Sequence, residues 1–458
     1  MISKSFRQTI YLCLSVLICG AISLVNAQND GSQNNKTGRA GTFAVVGARI
    51  VPVSGPTIES GTIVIQNGKI AAVGASVSIP AGAEKIDGKG LTVFPGMIDA
   101  ATNLGLVEIP QGLNASVDTS EVGNINANAK AIKGIHPHSA HVNVTRVNGI
   151  TTVMSYPTGG LVSGQGAVIN LNGSTQAEMA VVGEYGLVIN FPRIAGGGGF
   201  GGGGGGGFGG FGGGQQADFN ELVRRRDTQV EELKKVFRSA EQYLKAREAY
   251  SKDKSLPYVA TDQGYDAMEP YIRGQKPIIF TAERERDIRG VAKFVADMKI
   301  KGVIVGGQEA WKAADVLKQN SIGVIYTNVY NLPVRDDDPY DYLFEAPSKM
   351  QAAGVKYCIS PGDAGAEVRD LPYQAGLAAS FGLSKEDALK SVTLYAAEVL
   401  GVADKMGSLE VGKMANVVVA DGDILDGRTN IKYIFIGGRM IPLTSRHTEL
   451  FDSFKDRK

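Results

Sequence analysis

The sequence predicts an α/β protein: a (β/α)8 TIM-type barrel inserted into a small β-sandwich that is built from both ends of the chain. Three observations carry this expectation. Short β-rich runs with turn signals crowd the region from Phe43 to Gly74 and recur between Met414 and Ile441. Between them, short apolar strands alternate with helical patterns of ten or more residues. The chain has 458 residues, 43% apolar and 20% charged, enough for one large barrel with a satellite domain.

The start of the chain reads as an address. Lys4 and Arg7 precede the apolar run Ile10 to Val25, and Val25-Asn26-Ala27 puts small residues where a signal peptidase needs them. This predicts a signal peptide over 1–27 and an exported protein, periplasmic or extracellular. A lipid anchor at Cys19 fits less well, because bulky Ile18 precedes it. Cys13 and Cys19 leave with the signal, so the mature chain keeps Cys358 alone and has no internal disulfide. In the apolar run VKYCIS, Cys358 reads as a small buried hydrophobe. Residues 28–40 are polar and read as a disordered lead-in.

The composite β-domain is expected over 41–94 and 408–445, and the barrel over 95–407. FAVVGARIVPV (Phe43–Val53) and GTIVIQNGKIAAVG (Gly61–Gly74) are β-rich, with Asn67-Gly68 as a hairpin turn. MANVVVADGDIL and KYIFIGGRMI supply matching strands at the far end. The barrel strands are read at Met97-Ile98-Asp99-Ala100, ITTVMSY (150–156), PIIFTA (277–282), GVIVGG (302–307), GVIYT (323–327) and KYCIS (356–360). Reactive groups on such a barrel sit at the C-terminal ends of the strands.

Two inserted segments stand apart. Residues 196–214 are glycine broken only by Phe200, Phe208 and Phe211, which reads as a flexible insertion rather than a phosphate cradle, since no strand–turn–helix unit surrounds it. From Asp218 to Ser251 the pattern is a long charged helix, with Val230, Leu233, Phe237, Ala240 and Leu244 as one apolar stripe. The stripe suits packing on the barrel wall; a dimer contact is the sharper alternative.

With these residues in view, the chain resembles the amidohydrolase superfamily, in its imidazolonepropionase-like branch. The resemblance rests on GARIVPVSGPTIESGTIVIQNGKIAAVG, on FPGMIDA, on the tail from LPYQAGLAASFGLS through LGVADKMGSLEVGKMANVVV, and on the closing IFIGGRMI. It implies a metal-assisted hydrolase fold acting on amide or other C–N bonds of cyclic or peptide-like substrates. It also implies His-x-His after strand one, a lysine or glutamate after strand four, histidines after strands five and six, and an aspartate after strand eight.

The chemistry departs from that pattern. The strand-one positions hold Ala101 and Asn103, strand five has Thr281 with Glu283 nearby, strand six has Gly306 or Gly307, and only Asp363 keeps its place. The metal positions are thus degenerate, and no metal is expected; zinc or another divalent ion enters only if the site is rearranged. The chain has four histidines, three of them in GIHPHSAH, so His136, His138 and His141 form the one alternative donor set. No G-x-S-x-G elbow or P-loop offers other machinery.

Candidate catalytic residues are therefore Asp363, Glu283 and Asn103, with Glu108 in reserve. Three classes of function follow: a hydrolase of non-peptide C–N bonds with a reduced site, a catalytically inactive protein that binds a small molecule at the barrel mouth, or a regulator of a partner hydrolase. A homo-oligomer is compatible with all three. The net charge of +1 gives no reason to expect nucleic acid as a partner.

Overall fold

A computed structural model describes residues 37–108, 117–194, 218–333, 335 and 337–457. The segment 1–27 expected to be a signal peptide and the glycine-rich segment 196–214 lie outside the described residues. Among the described residues the fold is mixed α/β, with three sheets.

The eight-stranded sheet joins the two ends of the chain. It contains β1 (Phe43–Ile50), β2 (Ile58–Gln66), β3 (Lys69–Gly74), β4 (Glu84–Asp87) and β5 (Thr92–Pro95) from the start. Three strands from the end complete it. The β2–β3 hairpin turns at Asn67 and Gly68, whose φ angles of 51° and 78° are the left-handed pair that a two-residue turn requires. The long-range seam runs through β5, which is parallel to β1 (Arg49 beside Thr92) and antiparallel to Val417–Ala420 (Phe94 beside Val418). The KYIFIGGRMI run is a hairpin of Ile431–Ile436 and Arg439–Ile441, turning at Gly437-Gly438 with both φ positive. Residues 37–40 of the expected lead-in are placed, because Arg39 and Met440 exchange two backbone hydrogen bonds of 3.0 Å.

The other strands carry the functional end of the molecule. β6 (Met97–Thr102) pairs in parallel with β7 (Ile150–Ser155). β8 (Val162–Gln165), β9 (Ala167–Asn170) and β10 (Ala180–Val182) follow. β7, β9 and β10 pair antiparallel, which interrupts the strict alternation expected from sequence. The third sheet runs from β8 to β11 (Leu187–Asn190), β12 (Pro277–Ala282), β13 (Lys301–Gly306), β14 (Gly323–Tyr326) and β15 (Tyr357–Ile359). From β11 onward its neighbours are parallel. Strands β6, β7, β14 and β15 are buried along their whole length, as parallel strands covered on both faces must be.

The long helix spans Phe219–Lys252 and is capped by Asp218, whose side chain accepts from the Asn220 N–H. Glu241–Lys245 and Glu248–Lys252 are spaced i,i+4 along its solvent side. Leu233, Phe237, Ala240 and Leu244 are its buried stripe, as the spacing predicts, with Val230 half-buried. Phe237 meets Phe294 of the helix Glu285–Met298 edge to face, with ring centroids 5.4 Å apart. The stripe is therefore used in packing within the chain; no helix among the described residues is long and apolar enough to cross a membrane.

Candidate active site

The sequence-selected residues gather where β6, β7, β12, β13 and β15 end. Two backbone bonds bring these ends together: the Asn103 N–H donates to the Asp363 carbonyl at 2.9 Å, and the Tyr156 N–H donates to the Thr102 carbonyl at 3.0 Å. The Asn103 side chain accepts from the Gly365 N–H at 2.8 Å, which ties the end of β6 to the loop carrying Asp363. Asn103 therefore holds that loop, while the Asp363 carboxylate stands exposed to solvent.

Glu283 follows β12 and is turned inward over Gly306. Gly306 has φ of 108°, and a Cβ placed there would lie 2.6 Å from Glu283 Oε1. The carboxylate thus fills the volume that a side chain at 306 would need. Its Oε2 accepts from the Gln308 N–H at 3.1 Å and from Asn328 Nδ2 at 2.9 Å. Burial pushes the Glu283 carboxyl up to about 7, against the pull of those two donors and of Arg193 and Arg284.

Asp99 is the second buried carboxyl, and sequence reasoning passed over it as one residue of an apolar strand. It has no solvent exposure. Its Oδ1 accepts from Ser360 Oγ at 2.5 Å and from the Ala101 N–H at 3.2 Å, while Oδ2 has no hydrogen-bond partner. Burial raises it to about 7, opposed by the Ser360 and Ala101 donors. A charged residue type inside an otherwise apolar strand was the available signal, since such residues are almost never fully buried without a reason. Ser360, next to the Asp363 loop, is an uncharged residue in CISPGDAG and carries no such signal.

Tyr156, also unselected from sequence, is buried just beyond the end of β7. Its phenol is pushed far above its usual range, first by burial and then by Asp363, Asp99 and Glu283 in turn.

The other sequence candidates are placed elsewhere. Thr281 Oγ1 lies 3.3 Å from Asn190 Oδ1 at the end of β11. Gly307 turns with φ of 72°, close against Val324. His136 is exposed, with its ring edge-on to His138 at 6.3 Å between centroids. His141 lies on the helix Ala140–Arg146, its Nε2 3.2 Å from the Glu108 carbonyl. Among the described residues, no three His, Cys, Asp or Glu side chains are grouped so as to hold a metal ion. A zinc-type centre needs about three nitrogen, sulfur or carboxylate ligands around one point. Ala101 and Gly306 carry no donor side chain, the Asn103 side chain accepts from the Gly365 N–H, and Thr281 Oγ1 lies by Asn190 Oδ1.

Residues 352–441 match the amidohydrolase family. Imidazolonepropionase of Erwinia tasmaniensis is 58% identical over 38 residues, 8% of this chain and 9% of that protein. Imidazolonepropionase of Pseudomonas aeruginosa is 41% identical over 69 residues, 15% of this chain and 16% of that protein. The chain thus aligns with only a small fraction of the length of the curated relatives it matches. An amidohydrolase structure from Thermotoga maritima superposes with a TM-score of 0.74 at 24% identity, covering 87% of this chain and 99% of that one. A molinate hydrolase structure gives 0.52 at 15% identity, covering 89% of this chain and 96% of that one. The segment match and the relatives support the amidohydrolase superfamily; the superpositions show the fold.

Proposed function

We propose that this protein is an exported hydrolase of non-peptide C–N bonds, working through carboxyl groups at the strand ends rather than through a histidine-held metal. The observation that carries the reading is the Glu283 carboxylate seated over Gly306, in the volume of a strand-six ligand. The reading takes the two strand groups as one (β/α)8 barrel, closed between β6 and β15 and set against a small β-sandwich. The Asn103–Asp363 backbone bond of 2.9 Å supports that closure.

In this reading the exposed Asp363 accepts a proton from the attacking water as its oxygen bonds to the substrate carbon. Glu283, kept protonated by burial up to about 7, gives its proton to the departing nitrogen as the C–N bond breaks. Carboxylate general acid–base catalysis contributes roughly 10²–10⁴-fold, so turnover is slow beside a metal hydroxide. Ligand binding without turnover is the second reading; it is favoured by the hydrogen bonds that hold Glu283 from Gln308 and Asn328.

The test is hydrolysis of a panel of cyclic amides and amidines by the mature chain. Asp363→Asn and Glu283→Gln are each expected to lower kcat at least tenfold while the fold stays intact. Turnover unchanged in both variants overturns the assignment; absence of turnover across the panel, with ligand bound, favours the second reading.

A further inference from the structure

Four groups converge on one oxygen of Glu309, just beyond the end of β13. Lys312 Nζ lies 3.1 Å from Glu309 Oε1, and Tyr342 Oη donates to the same oxygen at 3.3 Å. Arg284 Nη1 stands 3.7 Å from it and Arg335 Nη2 3.9 Å. Glu309 is buried, and its Oε2 accepts from the Glu285 N–H at 2.9 Å. Among the described residues, Glu309 is the only carboxylate in ion-pair contact with Arg284, Lys312 or Arg335. Three cations thus share one negative charge. Lys312 is hydrogen-bonded to it, but 3.7 and 3.9 Å are too long for hydrogen bonds. Glu309 therefore attracts both guanidiniums without engaging these N–H groups. Arg284 Nη1 is buried and has no hydrogen-bond partner, an arrangement native proteins seldom keep without a further partner for it. Arg284 also acts on Glu283, from beyond ion-pair distance.

We propose that Arg284, Lys312 and Arg335 bind a doubly charged tetrahedral oxyanion, a phosphate group, beyond the ends of β12, β13 and β14. The proposal goes beyond the hydrolase reading and does not rest on it, since neither Glu283 nor Asp363 is among the ligands. A dianion balances the two positive charges that Glu309 leaves over, whereas a carboxylate would balance one of them. Guanidinium groups present N–H donors in a planar fork that suits phosphate oxygens, and such charge-assisted bonds are about twice as strong as neutral ones. Oxygens on several sides of one phosphorus let a single group meet donors from three different loops. Lys312 is held in place for this, with its Nζ 5.3 Å from the ring centres of both Trp311 and Tyr342. Free phosphate and a phosphorylated organic compound present the same oxygens to these residues.

The experiment titrates the mature chain with inorganic phosphate, phenyl phosphate and acetate at constant ionic strength, by calorimetry and by tryptophan fluorescence. Trp311 is the one tryptophan of the chain and lies beside Lys312, so its emission reports on this place alone. Inorganic phosphate is expected to bind saturably, at least tenfold more tightly than acetate, with a matching change in Trp311 emission. Arg284→Gln and Arg335→Gln should each weaken phosphate binding at least fivefold. Arg335 is exposed, so its variant keeps the test alive if the other does not fold. Phenyl phosphate bound more tightly than inorganic phosphate assigns the site to a phosphorylated organic compound, and phenyl phosphate bound no more tightly assigns it to the free ion; both support the proposal. No saturable binding of either phosphate, acetate bound as tightly as phosphate, or an affinity unchanged in both variants overturns it.

Discussion

Asp99 and Glu283 are both carboxyl groups that burial pushes up to about 7, yet the protein treats them differently. Glu283 sits in a cradle made for it: a glycine with no side chain beneath, a backbone N–H from Gln308 and an amide from Asn328. Asp99 has Ser360 and Ala101 on one oxygen and nothing on the other. The first takes both of its donors on Oε2. The second keeps one oxygen, Oδ2, buried without a hydrogen-bond partner. The same position on the pH scale thus arises beside two different hydrogen-bond inventories, and the inventory is what separates their roles.

The largest effect should be on stability as a function of pH. Both groups bind their proton more tightly in the folded chain than in the unfolded one, where the ordinary values are 3.8 and 4.5. Their contribution is therefore full at low pH and is lost as pH rises towards about 7, by up to roughly 1.4 kcal/mol per pH unit for each group. Urea unfolding between about pH 4 and about pH 8 should show Asp99→Asn and Glu283→Gln each flattening that fall. Identical slopes in wild type and both variants would break the comparison.

Gly306→Ala comes next. The added Cβ meets the Glu283 carboxylate at 2.6 Å, and φ of 108° strains any side chain. Overpacking and strain together should cost roughly 3 kcal/mol. If the contact is the main cause, adding Glu283→Ala should recover a measurable part of the loss in a double-mutant cycle. Simple additivity of the two substitutions would mean that the cradle is incidental.

Asn328→Ala is the smaller cut. It removes one donor from Glu283 and should destabilise by about 1–2 kcal/mol while raising the Glu283 carboxyl further. Smallest of all is His136→Ala, at an exposed ring outside the carboxyl group, which should change stability by no more than about 0.5 kcal/mol. A loss of activity on that substitution would return attention to the His136–His138–His141 set.

Much of the frame was legible in the sequence, because it depends on local periodicity. The Asn67-Gly68 turn, the PIIFTA strand and the Leu233–Leu244 stripe follow from rules that act over a few residues. The strand-end location of Glu283 and Asp363 was legible for the same reason. The antiparallel strands β8 to β10 were not, since their short apolar runs carry no signal of direction. Tyr156, Ser360 and the orphan oxygen of Asp99 were not legible either. Their significance lies in contacts across 261 positions, as between Asp99 and Ser360, and no local pattern records such a distance. Asn103 shows the converse: it stands at a site position, but its amide is engaged by Gly365.

The central claim is that carboxyl groups occupy the place where a metal would stand. Elemental analysis of the purified mature chain, combined with a chelator and zinc re-addition assay on its amidine or amide turnover, tests this most directly. The account predicts less than one metal equivalent per chain, turnover unchanged by chelation, and loss of that turnover in Asp363→Asn. Two tightly held metal equivalents per chain, with turnover abolished by the chelator and restored by zinc, would contradict it.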